Sequence, residues 1–202
     1  MKNPVASPTS TVVQESVRRC VTGLQTRYLG GDPQARAELA RLRRGLGQPA
    51  AADADGWAFT IEALPTEVLG RGDDLSLAES ATHLALTMFA SHMQSASAPM
   101  HVPGVGFGAA MRSLSRHEDR SADAVRRRFS SVMTASTSDE AAQHLRGLVS
   151  MLRQAQVGLD YGQFARDLYF LSMPGQEHRV RVRWGRDFYR SDVKTEAIKE
   201  TA

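Results

Sequence analysis

Arginine is the residue type in this chain whose number and placement suggest chemistry. Of its 25 basic residues only Lys2, Lys194 and Lys199 are lysine, leaving 22 arginines. A guanidinium keeps its charge at any physiological pH and presents a planar fork of donors that fits two phosphate oxygens, whereas a lysine ammonium is a flexible point charge. A GC-rich genome also favours arginine codons, so placement carries the argument rather than type. Residues 99–190 hold 14 arginines against nine acids, residues 1–98 hold nine bases and ten acids, and residues 191–202 hold two and three. The formal net charge of +3 is therefore a local +5 diluted by the rest of the chain.

Four groups of arginines stand out. Arg41, Arg43 and Arg44 follow Arg36 with only Glu38 as a nearby counter-charge. In Arg126-Arg127-Arg128, Arg127 points away from the helical face formed by Val125, Phe129 and Val132, and Asp123 is the only acid within a turn or so. Arg179 and Arg183 belong to a stripe running to Arg190, which Glu177 and Asp187 neutralise in part. Arg112 follows the glycine run Gly104-Val105-Gly106-Phe107-Gly108, whose backbone N–H groups would open a helix and are able to hold one phosphate. The expected nucleic-acid-binding set is Arg41, Arg43, Arg44, Arg112, Arg126, Arg127, Arg179 and Arg183.

No residues point to catalysis, a cofactor, a metal or a small-molecule substrate. The glycine run lacks a Walker lysine and a preceding strand. His83 and His92, nine residues apart, fall on opposite helix faces, and no ligand spacing links the six histidines. Cys20, the only cysteine, sits on an apolar stripe where an inert buried thiol is expected, so neither a disulfide nor a thiolate zinc cluster is available. No Gly-x-Ser-x-Gly motif occurs, and Asp73-Asp74 reads as a turn. The N-terminus lacks the apolar core of a signal peptide, and the longest apolar run, near Leu84–Ala90, is too short to span a bilayer. A cytoplasmic protein without membrane contact is expected.

The elements that position the arginines read as an all-α fold. Asp32-Pro33 supplies an N-cap followed by a proline at the first helical position, and Ser76/Glu79, Thr137/Glu140 and Asp160/Gln163 have capping-box spacing. Apolar residues recur at helical intervals: Val13, Val17, Cys20, Leu24 and Tyr28, then Leu39, Leu42 and Leu46, then Leu77, Leu84, Met88 and Phe89. The pattern continues through Val125–Met133, Leu145–Leu152 and Tyr161–Leu171. Val180-Arg181-Val182-Arg183-Trp184 alternates like a strand, yet a helix places Val180, Trp184 and Phe188 on one face and accounts for more residues, despite Gly185. Periodicity breaks at Leu46–Gly56 and at Ser95–Gly104, where Pro99 and Pro103 end a helix. The second break divides the chain into two small helical bundles, residues 1–98 and 99–202, joined by a Pro-containing linker.

Read in order, Gly104-Val-Gly-Phe-Gly-Ala-Ala-Met-Arg112, Val125-Arg-Arg-Arg-Phe129, His144-Leu-Arg-Gly-Leu-Val149, Leu159-Asp-Tyr161 and Trp184-Gly-Arg-Asp-Phe-Tyr189 resemble the CasB family, the small subunit of the type I-E CRISPR surveillance complex Cascade. The likeness covers roughly residues 36 to 190; residues 50–76 and the tail past Arg190 match poorly. It implies a non-catalytic, all-helical protein present in two copies running head to tail, associated with other Cascade subunits, guide RNA and target DNA, and helping to hold the displaced DNA strand of the R-loop. Arg43 and Arg44 match a basic pair in the family's N-terminal bundle, and Arg126 and Arg127 match a pair before its phenylalanine. The physics agrees: where base pairing reads the sequence, the protein need only hold backbone. Two other readings stay open. One is an assembly subunit whose arginines bind acidic partner surfaces without touching nucleic acid. The other is a helix-turn-helix regulator, which lacks a convincing turn between two short helices.

Overall fold

Polar side chains start the helices where the sequence places them. In the computed structural model, which describes residues 8–190, Asp32 Oδ1 accepts the Gln34 N–H at 2.8 Å ahead of Pro33. Ser76 Oγ accepts from Glu79 N at 3.1 Å while Glu79 Oε2 accepts from Ser76 N at 2.6 Å, a reciprocal capping box. Asp160 Oδ1 caps Gln163 N at 3.0 Å. At Thr137 the box is shifted: Thr137 Oγ1 takes Glu140 N, but the Glu140 carboxylate reaches one residue further back, to Ser136 N at 2.7 Å.

Among the described residues the α-helices are α1 (Pro8–Leu29), α2 (Pro33–Arg44), α3 (Ala54–Ala63), α4 (Leu77–His92), α5 (Phe107–Ser115), α6 (Ala122–Thr134), α7 (Ser138–Gln154), α8 (Tyr161–Leu171) and α9 (Glu177–Tyr189). Single 3₁₀ turns at Ala50–Ala52 and Thr66–Val68 occupy the two connections around α3. The ambiguous segment near residue 180 is helical, with Val180, Trp184 and Phe188 buried, because only that period brings all three onto the core. On α1 the buried stripe is Val13, Val17, Val21 and Leu24, with Cys20 and Tyr28 only partly covered. Burial pushes the Cys20 thiol up to about 11, which leaves it an unreactive thiol at neutral pH.

Helix α4 lies centrally and packs against α1, α2, α3, α7 and α8, while α1 makes its most extensive packing against α8. The buried apolar residues form one cluster that runs from Val13 to Phe188, across the Ser95–Gly104 break. The described residues before and after the break, 8–98 and 99–190, thus share one core. The break itself is pinned on both sides. The Gln25 side chain of α1 accepts from Met100 N at 2.9 Å and His101 N at 2.7 Å and donates to His101 O at 3.1 Å. From the other side, Leu159 N donates to Met100 O, Val102 N donates to Leu159 O and Tyr161 N donates to His101 Nδ1 at 3.0 Å. The Gln25 bonds cross between the halves, while those with Leu159 and Tyr161 tie the same stretch to the start of α8, so the break is held in register against both α1 and α8.

Glycine decides how closely α5 and α9 approach. A Cβ at Gly108 would stand 2.3 Å from the Trp184 carbonyl oxygen and 3.0 Å from its carbonyl carbon, which are backbone atoms that cannot swing aside. The contact seats Trp184 against Phe107 at 4.5 Å between ring centroids and against Phe164 at 6.3 Å.

Candidate nucleic-acid interface

On α2 the basic residues follow the turn that ends at Gly45. Glu38, the counter-charge the sequence offers them, is buried and ion-paired with Arg27 of α1, so it does not neutralise its own helix. Arg44 is exposed and forms a 2.9 Å pair with Asp55, itself exposed, an arrangement that contributes little and yields readily to another anion. Arg43 lines a shallow groove with Arg36, Tyr28 and Gln94. Arg41 is half-buried and directed over the Phe59 ring at 5.7 Å, a cation–π contact that orients it toward α3.

Helix α6 carries the densest cluster. Val125, Phe129 and Val132 are buried, and Phe129 stacks on Phe188 at 4.4 Å, which fixes the rotation of the helix and turns Arg126, Arg127 and Arg128 to solvent. Arg126 meets Asp123 at 3.0 Å, both exposed. Arg127 and Arg128 have no side-chain partner among the described residues.

Sequence reasoning missed a path between these two clusters. Arg153, near the end of α7, donates to Gln94 Oε1 beside the Arg36/Arg43 groove. Arg120 donates to Gln154 Oε1 at 2.8 Å, next to Arg153, and stands immediately before Ser121, the N-cap of α6. Isolated arginines in loops and helix ends have no periodicity to announce them, and only tertiary contacts place them in line.

The remaining candidates separate. Arg179 is exposed at the start of α9. Arg112 is half-buried and donates to the Arg190 carbonyl at 3.1 Å, so it closes the end of α9. Arg183 turns inward to Asp167, which is fully buried and also accepts the Trp184 Nε1–H at 2.7 Å. Desolvation raises the Asp167 pKa to about 6, with Arg183 and Trp184 pulling it back toward the ionised form. Arg183 is thereby occupied in stabilising the α8–α9 contact. The start of α5 does not offer the phosphate site its glycines suggest: Gly106, Phe107 and Gly108 are buried, and Gln163 and Asp187 stand over them.

The histidines are placed by the core. His92 Nδ1 lies 3.0 Å from the Tyr161 hydroxyl, and burial lowers its pKa to about 4. His83 faces Asp53 at 3.9 Å, with desolvation lowering its pKa. Among the described residues no three His, Cys, Asp or Glu side chains converge as a metal site, and no helix is long and apolar enough to cross a membrane.

Comparison with known proteins agrees with this architecture. A family model described as CRISPR-associated protein Cse2 matches residues 38–189. No curated protein sequence matches significantly. Among solved structures, the crystal structure of CasB from Thermobifida fusca is 36% identical and matches with a TM-score of 0.69, covering 92% of this chain and 100% of that one. Both the matched span and the shared all-helical architecture include the arginine-bearing helices α6 and α9, and on that footing the chain belongs to the CRISPR-associated Cse2 (CasB) family.

Proposed function

We propose that the protein is a non-catalytic subunit of a type I-E Cascade complex that contacts nucleic-acid backbone and stabilises the displaced DNA strand of the R-loop. It works beside the other Cascade subunits, a second copy of itself, guide RNA and target DNA. The observation that carries this reading is the α6 surface, where Arg126, Arg127 and Arg128 are all exposed and a single exposed carboxylate faces them. Arg43 and Arg44 on α2 add a second cluster whose only buried acid is already neutralised from α1. Arg179 adds an exposed arginine on α9.

Such a surface holds phosphate without reading bases. In an RNA-guided complex base pairing supplies the specificity, so the protein's part is to hold backbone. R-loop formation is a near-balanced exchange, so loss of about 1–2 kcal/mol of backbone contact visibly depletes the open state.

The test is a complex rebuilt with Arg43, Arg44, Arg126 and Arg127 changed to alanine, measured for assembly and for R-loop lifetime. Normal assembly with a shortened lifetime supports the proposal. Failed assembly with intact folding favours instead a protein-assembly role in which the arginines bind acidic partner surfaces.

A further inference from the structure

Helix α9 has one face that the fold leaves uncovered. At 100° per residue, His178, Arg179, Val182, Arg186, Tyr189 and Arg190 fall within about 120° of arc, and all six are exposed. Val180, Trp184 and Phe188 on the opposite side are buried. The acids of this helix lie off the exposed arc: Glu177 and Asp187 are half-buried, and Asp187 is tucked against Gly106 and Gly108 of α5. Neither Arg179 nor Arg186 has a side-chain partner among the described residues.

Among the described residues four large hydrophobic side chains are exposed, and two of them, Val182 at 47% and Tyr189 at 64%, sit on this face. An exposed tyrosine on a surface helix needs no explanation by itself. Here, however, the Tyr189 ring makes an edge-on contact with Phe188, at 4.8 Å and 87°, and Phe188 is stacked on Phe129 of α6. Arg112 fixes the same helix end through the Arg190 carbonyl. The result is an exposed aromatic ring on an anchored helix end, flanked by Arg186 about one turn before it and Arg190 one residue after it.

We propose that Tyr189 is a stacking platform for one unpaired base of a single-stranded nucleic acid, with Arg186, Arg190 and Arg179 holding the phosphates on either side. The inference rests on the backbone-binding reading above and adds to it a contact that only unpaired bases can make. Charge selects the occupant: three uncompensated arginines favour a polyanion, and a ring face open to solvent suits a base, since every base has a π-face and stacking is tolerant of sequence. An apolar protein partner would leave those three charges unpaired in the interface.

The experiment uses the full chain with two fluorescent oligomers of equal length, oligo(dT) and its abasic counterpart, which share the same phosphates. Tyr189→Ala is expected to weaken oligo(dT) binding about tenfold and to leave the abasic oligomer unchanged. Tyr189→Phe, which retains the ring, should match the wild type. Equal weakening on both oligomers, or none on either, overturns the stacking assignment. Unchanged DNA binding with weakened recovery of a Cascade partner overturns it in favour of a protein contact. Arg126→Ala with Arg127→Ala serves as the second arm. If this pair weakens both oligomers while Tyr189→Ala affects neither, stacking fails and backbone binding stands. If the pair changes nothing while Tyr189→Ala selectively weakens oligo(dT), the α6 backbone reading fails and the stacking site stands.

Discussion

Arg183 and Arg179 lie four residues apart on α9, yet the fold gives them different work, and a stability measurement distinguishes them. Replacing Arg183 with alanine leaves the fully buried Asp167 carboxylate with the Trp184 N–H as its one hydrogen-bond donor among the described residues and the Arg166 charge nearby. Removing one member of a buried pair costs about 3–5 kcal/mol, and the lower end applies because the Arg183 side chain is 35% exposed. A loss of about 3 kcal/mol in a chain of this size lowers Tm by about 6–12 °C. Arg179→Ala, on an open surface, should change stability by no more than about 0.5 kcal/mol. The deficit also depends on pH. Because the Asp167 pKa stands at about 6 when folded, above its ordinary value of 3.8, the carboxyl contributes stability fully below 3.8 and loses it as pH rises through about 6. Without Arg183 that pKa climbs further, so the mutant deficit should be small at pH 5 and largest at pH 8. Asp167→Asn in the Arg183→Ala background removes the buried charge while keeping an acceptor for Trp184, and should restore much of the loss at pH 8. Urea unfolding of the single and double variants at both pH values measures this. A deficit under about 0.5 kcal/mol, independent of pH and unaffected by Asp167→Asn, would refute the structural assignment of Arg183 and return it to the phosphate-binding set.

Other consequences are as direct. His92, with its pKa lowered to about 4 by burial, contributes full stability above pH 6.5 and loses up to about 3 kcal/mol as pH falls toward 4. Asp167 acts in the opposite sense over part of that range, so the comparison of His92 with His92→Gln belongs in an Asp167→Asn background, where the midpoint should fall more steeply on acidification with His92 present than with His92→Gln, the residual slope coming from His83 and His101. Gly108→Ala forces a Cβ against the Trp184 carbonyl and should destabilise by about 1–3 kcal/mol, despite alanine's better helix propensity, as read from thermal unfolding. Nucleic-acid affinity should fall with salt at a logarithmic slope near −3 to −4 if about four phosphates are neutralised, and the slope should shrink by about one for each phosphate contact removed by Arg→Ala.

The sequence by itself determined most of the helices, though not α3, which begins inside the Leu46–Gly56 break. Caps at Asp32, Ser76, Thr137 and Asp160 and the apolar stripes are local signals, because a helix satisfies its own backbone and needs only one covered face; the turn of the 180–189 segment follows from the same period. The presence of an arginine-rich surface was legible too, since charge density along α6 is a property of neighbouring residues. Tertiary structure alone decided what each arginine does. Arg183 and Arg179 are alike in sequence, but the first meets a carboxylate contributed by α8, 16 residues away, and the second meets solvent. Glu38 looks like the counter-charge of α2 and is taken by α1 instead. The joining of the two halves into one core was hidden for the same reason: Gln25 and His92 are polar residues whose partners across the break, His101 and Tyr161, lie 76 and 69 positions away in the chain. Local spacing encodes which face of a helix is covered, whereas the identity of what covers it is set by contacts between distant segments.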